Sequence, residues 1–365
     1  MREIKIAEPI IGSEEIGAVK NVLLSGMLSQ GSKVTELEQR FAKYCGVDYA
    51  IAVNSGTAAI HSALFAVGIG PGDEVITVSF SFIATINPIL MLGARPVLVD
   101  IKLETFNIDV ELVEAAITPK TKAIIPVDLY GQPYEYSRLK EIADKHGLKI
   151  IEDACQAVGA EYGGNKTGIL GDIGCFSLYA TKNIMSAEGG IVTTSNKKYA
   201  EAIKRFRQHG MAGTYDYAHL GYNYRMTDIQ AAIALEQLKK VDRFNSIRKS
   251  NAERLNEGLQ GIGGIVLPVI APNRTHVFHQ YTIRVTDEFP LTRDALAHTL
   301  LDEGVTTGVY YPRPLYTYKH IANALHHKPY SEYAEIASRQ VLSLPVHPKV
   351  SKAQIAHIVK VVNSI

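Results

Sequence analysis

A short polar turn, Asn54-Ser55-Gly56-Thr57, lies between an apolar run and an alanine-rich segment with helical spacing. A small turn that opens a helix offers free backbone N–H groups at the positive end of the helix dipole. Two hydroxyls add to them here, and this combination suits a phosphate group. The same residue types are common helix N-caps, so a capping role is the simpler interpretation of this turn taken alone.

Four further polar positions end or follow strand-like runs later in the chain. Asp153 ends the apolar run LKIIED, and Gln156 follows it three residues on. A carboxylate at a buried strand end is costly unless a cation faces it, although a helix-capping aspartate would also explain the pattern. Ser177 and Lys182 follow in SLYATKN, where a lone lysine is ordinarily a solvated charge.

The order of these features suits one cofactor, pyridoxal 5'-phosphate. Its aldehyde needs a lysine for a Schiff base, its pyridine nitrogen needs an aspartate that keeps it protonated, and its phosphate needs amides and hydroxyls. Lys182, Asp153 and the turn at Ser55 offer these three groups in one part of the chain. The residues therefore predict an enzyme that uses this cofactor.

Alternating strand-like and helical segments must position these residues. Predicted strands are residues 50–53, EVITVS from Glu74, RPVLVD from Arg95, KAIIPVD from Lys122, LKIIED from Leu148, CFSLY from Cys175 and GIVTTS from Gly190. Predicted helices cover residues 58–67, 109–117, 135–146 and 197–208, and a long helical stretch covers 227–254. The alternation predicts an α/β domain with a mostly parallel sheet covered on both faces, whose strand ends bind the ligand.

Length and composition indicate the number of domains and the general class of protein. A chain of 365 residues is longer than one hydrophobic core usually organises, so we expect two domains, residues 1–243 and 244–365. With 46% hydrophobic and 21% charged residues, disorder and a disulfide scaffold are disfavoured. The net charge of +1 gives no general attraction to nucleic acid or to an anionic membrane, so an anionic ligand needs a local site.

The cysteines and the hydropathy pattern bear on location. Cys45, Cys155 and Cys175 are an odd number without metal-ligand spacing, which favours a reducing compartment. No stretch of signal-peptide length is evident, and the most apolar run, residues 83–94, is interrupted by Asn87 and Pro88. We expect a cytoplasmic protein with no metal site, no membrane segment and no nucleic-acid partner.

Five segments occur in order that resemble the DegT/DnrJ/EryC1/StrS family of sugar aminotransferases: EDACQAVGAEYGG, FSLYATKN, EGGIVTT, GYNYRMTDIQAAI and LSLPVHP. The resemblance implies the type I fold of aminotransferases that depend on pyridoxal 5'-phosphate (PLP), with a seven-stranded sheet in a large domain and a smaller α+β C-terminal domain. It implies conversion of a nucleotide-linked keto-6-deoxysugar to an aminosugar, with glutamate as amino donor. Two alternatives stay open, an aminotransferase for a cyclitol or aminoshikimate-type substrate and a non-catalytic, regulatory protein that binds the cofactor.

The resemblance also implies a role for each matching residue. Lys182 would form the internal aldimine and carry the proton between substrate and cofactor. Asp153 would pair with the pyridine nitrogen, and Gln156 would reach the ring hydroxyl. The phosphate would be held by Gly56, Thr57 and Ser177.

The remaining roles concern the cofactor ring, the neighbouring subunit and the substrate. Phe82 would stack on the ring, with Phe80 as second choice and a plain core role as the alternative. Asn223 would reach the phosphate of the neighbouring subunit, which makes the enzyme a homodimer with shared active sites. Residues that would line the substrate pocket, or serve only the structure, are Tyr311, Arg313 and His320.

Overall fold

The computed structural model describes residues 3–325, 329 and 331–365. Its helices are α1 (Ser13–Ser25), α2 (Ser32–Cys45), α3 (Gly56–Ala66), α4 (Asn87–Met91), α5 (Val110–Val113), α6 (Tyr136–His146), α7 (Lys197–Arg207), α8 (Asp228–Leu238), α9 (Val241–Leu259), α10 (Arg293–Asp302), α11 (Lys319–Ala322), α12 (Glu332–Gln340) and α13 (Lys352–Asn363). No helix in this described part is long and apolar enough to span a membrane.

The strands are short and alternate with these helices through the first two thirds of the chain. They are β1 (Tyr49–Val53), β2 (Glu74–Val78), β3 (Arg95–Val99), β4 (Thr121–Ile124), β5 (Lys149–Asp153), β6 (Glu161–Tyr162), β7 (Asn165–Lys166), β8 (Ile173–Ser177), β9 (Gly190–Thr194), β10 (Met211–Gly213), β11 (Asp216–Tyr217), β12 (Ile265–Val266), β13 (Tyr281–Val285) and β14 (Val341–Leu344).

Seven strands form the main sheet in the order β1-β9-β8-β5-β4-β2-β3. The pairs from β8 to β3 are parallel, whereas β9 is antiparallel to both of its neighbours. Every residue of β2 and β9 is buried, as expected for strands covered by helices on both faces. The predicted seven-stranded, mostly parallel sheet is confirmed.

The predicted helices at 58–67, 135–146 and 197–208 correspond to α3, α6 and α7. The segment predicted as a helix at 109–117 has only one α-helical turn, α5, followed by a 3-10 turn at Glu114–Ala116. β4 ends at Ile124, two residues before Pro126, and a single bridge between Val127 and Asp153 continues the pairing beyond that proline. This extension holds the end of β5 in place.

The predicted long helical stretch at 227–254 is wrong as one element, because the chain bends at Lys239 and Lys240. α8 packs against α1 and α2, whereas α9 packs against the C-terminal helix α13. A single straight helix could not meet both surfaces. Lys240 Nζ lies 2.6 Å from Glu15 Oε1, and this ion pair fixes the bend against α1.

A second core lies around the small antiparallel sheet β12-β13-β14. Apolar residues of α9, α10 and α13 pack on it, including Leu255, Leu300 and Ile358. This arrangement confirms the smaller α+β unit. The division at residue 243 stays a prediction, and α9 runs through that position.

Candidate active site

A cavity of about 420 Å³ opens where β2, β5 and β8 end and α3 begins. Eight residues named from the sequence line it: Gly56, Thr57, Phe82, Asp153, Gln156, Ser177, Lys182 and Tyr311. They come from distant parts of the chain and meet because parallel strands present their carboxyl ends at one edge of the sheet. The cavity is therefore where the sequence-based prediction places chemistry.

The N-terminus of α3 forms one wall of the cavity. Ser55 caps the helix, with its Oγ accepting a hydrogen bond from Ala58 N at 3.1 Å. Gly56 and Thr57 occupy the first two helical positions, where backbone N–H groups have no intrahelical acceptor. The turn thus caps the helix and also presents N–H groups at the cavity, so the two interpretations of this motif are compatible.

Close packing explains the glycine in this turn. A Cβ at Gly56 would lie 2.9 Å from the Cβ of Ser177 and 3.0 Å from the Sγ of Cys155. Only glycine lets α3 come this near to the end of β8. The Ser177 hydroxyl and the helix N-terminus consequently converge, and these donors fit a phosphate.

Asp153 lies at the end of β5 and is 5% exposed. Its Oδ2 accepts a hydrogen bond from the Thr85 hydroxyl at 2.8 Å, and its Oδ1 accepts one from Cys155 N at 3.3 Å. Burial of a carboxylate is costly unless a positive charge faces it. A protonated ring nitrogen in the cavity would supply that charge.

Lys182 lies in the loop after β8 and is half-buried. Burial lowers the pKa of its ammonium group, and the nearby Cys155 and Asp153 oppose this shift only in part. A lowered pKa increases the fraction of neutral amine, which is the form that attacks a carbonyl carbon and accepts a proton. Lys182 has the properties of a nucleophile and of a general base.

Gln156 joins two other parts of the cavity. Its Oε1 accepts a hydrogen bond from Tyr130 N at 2.8 Å, and its Nε2 donates one to the Tyr311 hydroxyl at 3.1 Å. Tyr311 lines the cavity, and burial raises the pKa of its hydroxyl. The phenol stays protonated at neutral pH and can donate a hydrogen bond to a ligand.

The two phenylalanines of SFSFIAT have different environments. Phe80 is fully buried and packs with Phe106 in the core, whereas Phe82 is 54% exposed and borders the cavity. The Phe82 ring centroid lies 6.0 Å from that of Tyr311. Phe82 is therefore the one of the pair with a free ring face at the site.

Three residues named from the sequence do not line this cavity. The guanidinium of Arg313 lies over the Tyr318 ring at 4.3 Å, and His320 Nε2 lies 3.3 Å from Asn87 Oδ1. Asn223 lies close to the turn at Ser55, where its backbone carbonyl oxygen accepts a hydrogen bond from Asn54 Nδ2 at 3.3 Å. None of the three side chains belongs to the cavity wall formed by the described residues of this chain.

The structure adds cavity residues that the sequence analysis did not single out. His279 lies just before β13, its Nδ1 is 3.3 Å from Asn183 Oδ1, and burial together with the charge of Lys182 lowers its pKa. The imidazole is neutral beside the lysine. Its segment HQYTIRV shows only strand-like periodicity, so the sequence carried no signal for this contact. Other such residues are Thr85, Tyr179, Thr181, Glu188, Gln280 and Tyr310.

Fold and cavity together define an aminotransferase with the type I fold. The chain belongs to the DegT/DnrJ/EryC1/StrS aminotransferase family, whose model matches residues 9–363. The predictions of family, fold class and enzyme class are confirmed.

Individual relatives match over nearly their full lengths. GDP-perosamine synthase of Caulobacter vibrioides is 39% identical over 368 residues, covering 99% of this chain and 98% of that protein. A protein of Geobacillus stearothermophilus named pleiotropic regulatory protein is 40% identical over 350 residues, covering 95% and 93%. The structure of S. venezuelae DesV in complex with a ketimine intermediate is 38% identical, with a TM-score of 0.92, and the match covers 96% and 94%.

Proposed function

We propose that this protein is a PLP-dependent aminotransferase that converts a nucleotide-linked keto-6-deoxysugar to an aminosugar, with glutamate as amino donor. The observation that carries the proposal is the convergence of Lys182, Asp153 and the α3 N-terminus on one cavity. The sugar substrate is supported by the family and by the relative named GDP-perosamine synthase. A cyclitol or aminoshikimate-type substrate is the alternative within the same enzyme class.

The residues present fit the cofactor at each of its functional groups. The N–H groups of Gly56 and Thr57, with the Ser177 hydroxyl, would hold the phosphate, and Asp153 would hold the proton on the ring nitrogen. Phe82 would lie against the ring, and Gln156 and Tyr311 would orient its polar edge. When bound, pyridoxal phosphate supplies an aldehyde that accepts an amino group and a cationic ring that stabilises negative charge on the substrate.

Lys182 would carry the proton in both half-reactions. As a neutral amine, its Nζ would take the proton from the α-carbon of glutamate and would later deliver a proton to the sugar carbon that receives the amino group. The lowered pKa increases the share of neutral amine and so favours this exchange. Burial and the charge of Lys182 lower the pKa of His279, so its imidazole is too weak a base to compete for the proton.

We also infer a cytoplasmic homodimer. Asn223 lies beside Asn54, at the phosphate end of the site but outside the cavity wall of its own chain. Its reach to the phosphate of the neighbouring subunit is what membership of the family supports, not a contact within this chain. Cys45, Cys155 and Cys175 are free thiols, which suits a reducing compartment.

A substrate panel tests the reaction. The enzyme is mixed with glutamate and 3-keto or 4-keto nucleotide sugars, and mass spectrometry follows the replacement of the keto group by an amino group. Product from one of these sugars supports the proposal, and no product from any of them favours the cyclitol-type alternative. Glutamate alone should bleach the visible absorbance of the lysine-bound cofactor. A protein that binds the cofactor but is not bleached would be the regulatory protein.

Two variants test the residues. Lys182→Ala should lose both the visible absorbance and turnover, whereas Lys198→Ala, at an exposed position of α7, should keep both. Asn223→Ala should be impaired, and mixing it with Lys182→Ala should restore activity, since mixed dimers contain one intact site. No restoration would contradict the shared site.

A further inference from the structure

Two carboxyl groups lie together behind the candidate active site. Asp128 and Glu152 are both 0% exposed, each leaves one buried side-chain oxygen without a hydrogen bond, and the two carboxyl groups interact with each other. Glu152 and Asp153 are adjacent in β5, so their side chains leave opposite faces of the sheet. The pair therefore lies behind the residue that faces the cavity.

Each carboxyl group uses one oxygen for backbone hydrogen bonds. Asp128 Oδ1 accepts a hydrogen bond from Tyr134 N at 3.0 Å. Glu152 Oε2 accepts hydrogen bonds from Gly168 N at 2.8 Å and from Leu170 N at 3.2 Å. The second oxygens, Asp128 Oδ2 and Glu152 Oε1, are buried and have no donor among the described residues.

Within the described residues, neither carboxyl group forms a salt bridge, and the nearby Lys149, Lys166 and Arg274 pair with other acids. Titratable groups that interact with the pair include Asp153, Tyr134, Cys45 and Cys175, all of them acids. Lys166, which interacts with Cys45, forms its ion pair with Glu161. Two buried carboxylates side by side would repel each other at close range. A single proton between Asp128 Oδ2 and Glu152 Oε1 would remove one charge and supply the missing donor.

The pair is connected to the site through the backbone. Asp128 N donates a hydrogen bond to Asp153 O at 3.1 Å, just past Pro126, where β4 has already ended. The turn that follows, Leu129–Gly131, presents Tyr130 N to Gln156 Oε1 at 2.8 Å. The position of Asp128 therefore sets the positions of Asp153 and Gln156.

We propose that Asp128 and Glu152 share one proton and act as a positioning pair for Asp153 and Gln156. Asp128 is the donor, because Glu152 already accepts two backbone N–H groups and better tolerates the negative charge. Burial raises the pKa of both groups, and the charge of Glu152 adds to the shift of Asp128, whereas Asp128 and the two backbone N–H groups oppose the shift of Glu152, in agreement with this assignment. The positioning role rests on the proposed function, whereas the shared proton does not.

Amide substitutions distinguish a shared proton from two separate charges. In Asp128→Asn, the new Nδ2 can donate a hydrogen bond to Glu152 while the amide oxygen accepts one from Tyr134 N. Glu152→Gln can donate from Nε2 to an ionised Asp128 while its oxygen accepts the two backbone N–H groups. In the double variant, either the two NH₂ groups face each other or one of them faces a backbone N–H, so two donors meet in every orientation.

The test is the unfolding equilibrium of the full chain in denaturant at neutral pH, without added cofactor. We expect the folding equilibrium constant of each single variant to remain close to that of the wild type. The constant of the double variant should lie about tenfold or more below the value expected if the two single effects were independent. Stabilisation by both single variants, or additive effects, would mean two separate charges and would overturn the proposal.

Asp100→Asn is the matched control. Asp100 is also buried, but its oxygens accept backbone hydrogen bonds from Ile101, Tyr333 and Ala334 at 2.8–2.9 Å. An amide there must place its NH₂ group against a backbone N–H, so this substitution should destabilise the fold although the same change at Asp128 does not. Equal losses at both positions would overturn the shared proton.

The pH dependence gives an independent readout if the double variant does not fold. Above the ordinary aspartate pKa of 3.8, the folded wild type keeps a proton that the unfolded chain has released. Its stability therefore falls as pH rises, by up to about tenfold in the equilibrium constant per pH unit. Asp128→Asn should lack this part of the slope, and an unchanged slope would contradict the proposal.

Positioning is tested with the cofactor-loaded enzyme. Asp128→Asn should keep the wild-type kcat and KM, whereas Asp128→Leu, which keeps neither hydrogen bond, should lower kcat about tenfold or more with a smaller change in KM for glutamate. If Asp128→Leu folds and turns over normally, the pair has no positioning role. If the wild type itself does not bind the cofactor, the proposed function and the positioning role both fail, while the unfolding data still decide the shared proton.

Discussion

Replacement of Gly56 by alanine should damage both the fold and the candidate phosphate site. The new Cβ would lie 2.9 Å from Ser177 Cβ and 3.0 Å from Cys155 Sγ, although nonbonded carbon atoms prefer about 3.5–4.0 Å. Because the closest contact involves a Cβ, no rotamer change relieves it, and α3 must move away from β8. Overpacking of this kind costs about 1–3 kcal/mol of the free energy of unfolding.

The same movement separates the α3 N-terminus from the Ser177 hydroxyl. Loss of one well-placed hydrogen bond to a charged phosphate is worth about 1.5–3 kcal/mol, so affinity for pyridoxal phosphate should fall about tenfold or more. Denaturant unfolding of the full chain measures the first effect. Equilibrium titration with pyridoxal phosphate, followed by absorbance, measures the second.

Two further variants make this test specific. Gly17→Ala lies inside α1, where a Cβ meets nothing within 4 Å, and it should raise the free energy of unfolding by about 0.5–1 kcal/mol. Adding Ser177→Gly to Gly56→Ala removes the closest contact and should recover part of the lost stability. If Gly56→Ala has the wild-type stability and affinity, close packing does not explain this glycine.

Other substitutions test single interactions. Ser55→Ala removes the N-cap of α3 and should cost about 1 kcal/mol of unfolding free energy in denaturant. Arg207 Nη1 lies 2.6 Å from Glu38 Oε1 in a buried ion pair. Arg207→Met removes this partner of Glu38 and should cost about 3–5 kcal/mol of the free energy of unfolding. Burial lowers the pKa of His61 to about 4, so the unfolded chain binds a proton that the folded chain lacks between about pH 4 and 6.5. Stability should therefore fall as pH decreases through this window, and His61→Asn should remove one proton from the measured slope.

Each of these predictions has a simple contradicting result. For the N-cap, the control is Ser13→Ala at the exposed start of α1. A smaller loss of unfolding free energy in Ser55→Ala than in Ser13→Ala would contradict the prediction. For the ion pair, Arg40→Met is the control, because Arg40 pairs with Glu36 at the surface and should cost at most about 1 kcal/mol. For His61, equal pH slopes in variant and wild type would show that the imidazole titrates normally.

The main features of the fold could be predicted from periodicity. Strands of the main sheet and helices α3, α6 and α7 carry their apolar residues at strand or helix spacing, so local sequence reveals them. The bend between α8 and α9 could not be predicted in this way. Lys239 and Lys240 are good helix formers, and only the need to pack on both α1 and α13 breaks the helix there.

The site was predictable where a strand end and a residue type coincide. Asp153, Ser177 and Lys182 end or follow predicted strands, and the sheet brings them to one cavity. Arg313 and His320 were named from a segment without a strand end, and their side chains turn to Tyr318 and Asn87 instead. Residue type alone did not determine the direction in which these side chains point.

The sequence by itself determined the α/β class, and it predicted the edge of the sheet where a ligand would bind and candidate residues for a phosphate, a ring nitrogen and an aldehyde. Only the tertiary structure buried Phe80 and left Phe82 at the cavity. It also placed His279 beside Lys182 and brought Asp128 near Glu152 behind Asp153. Periodicity is local, since neighbours along the chain set it. Contacts between distant residues depend on how whole strands and helices pack, and no short segment records that.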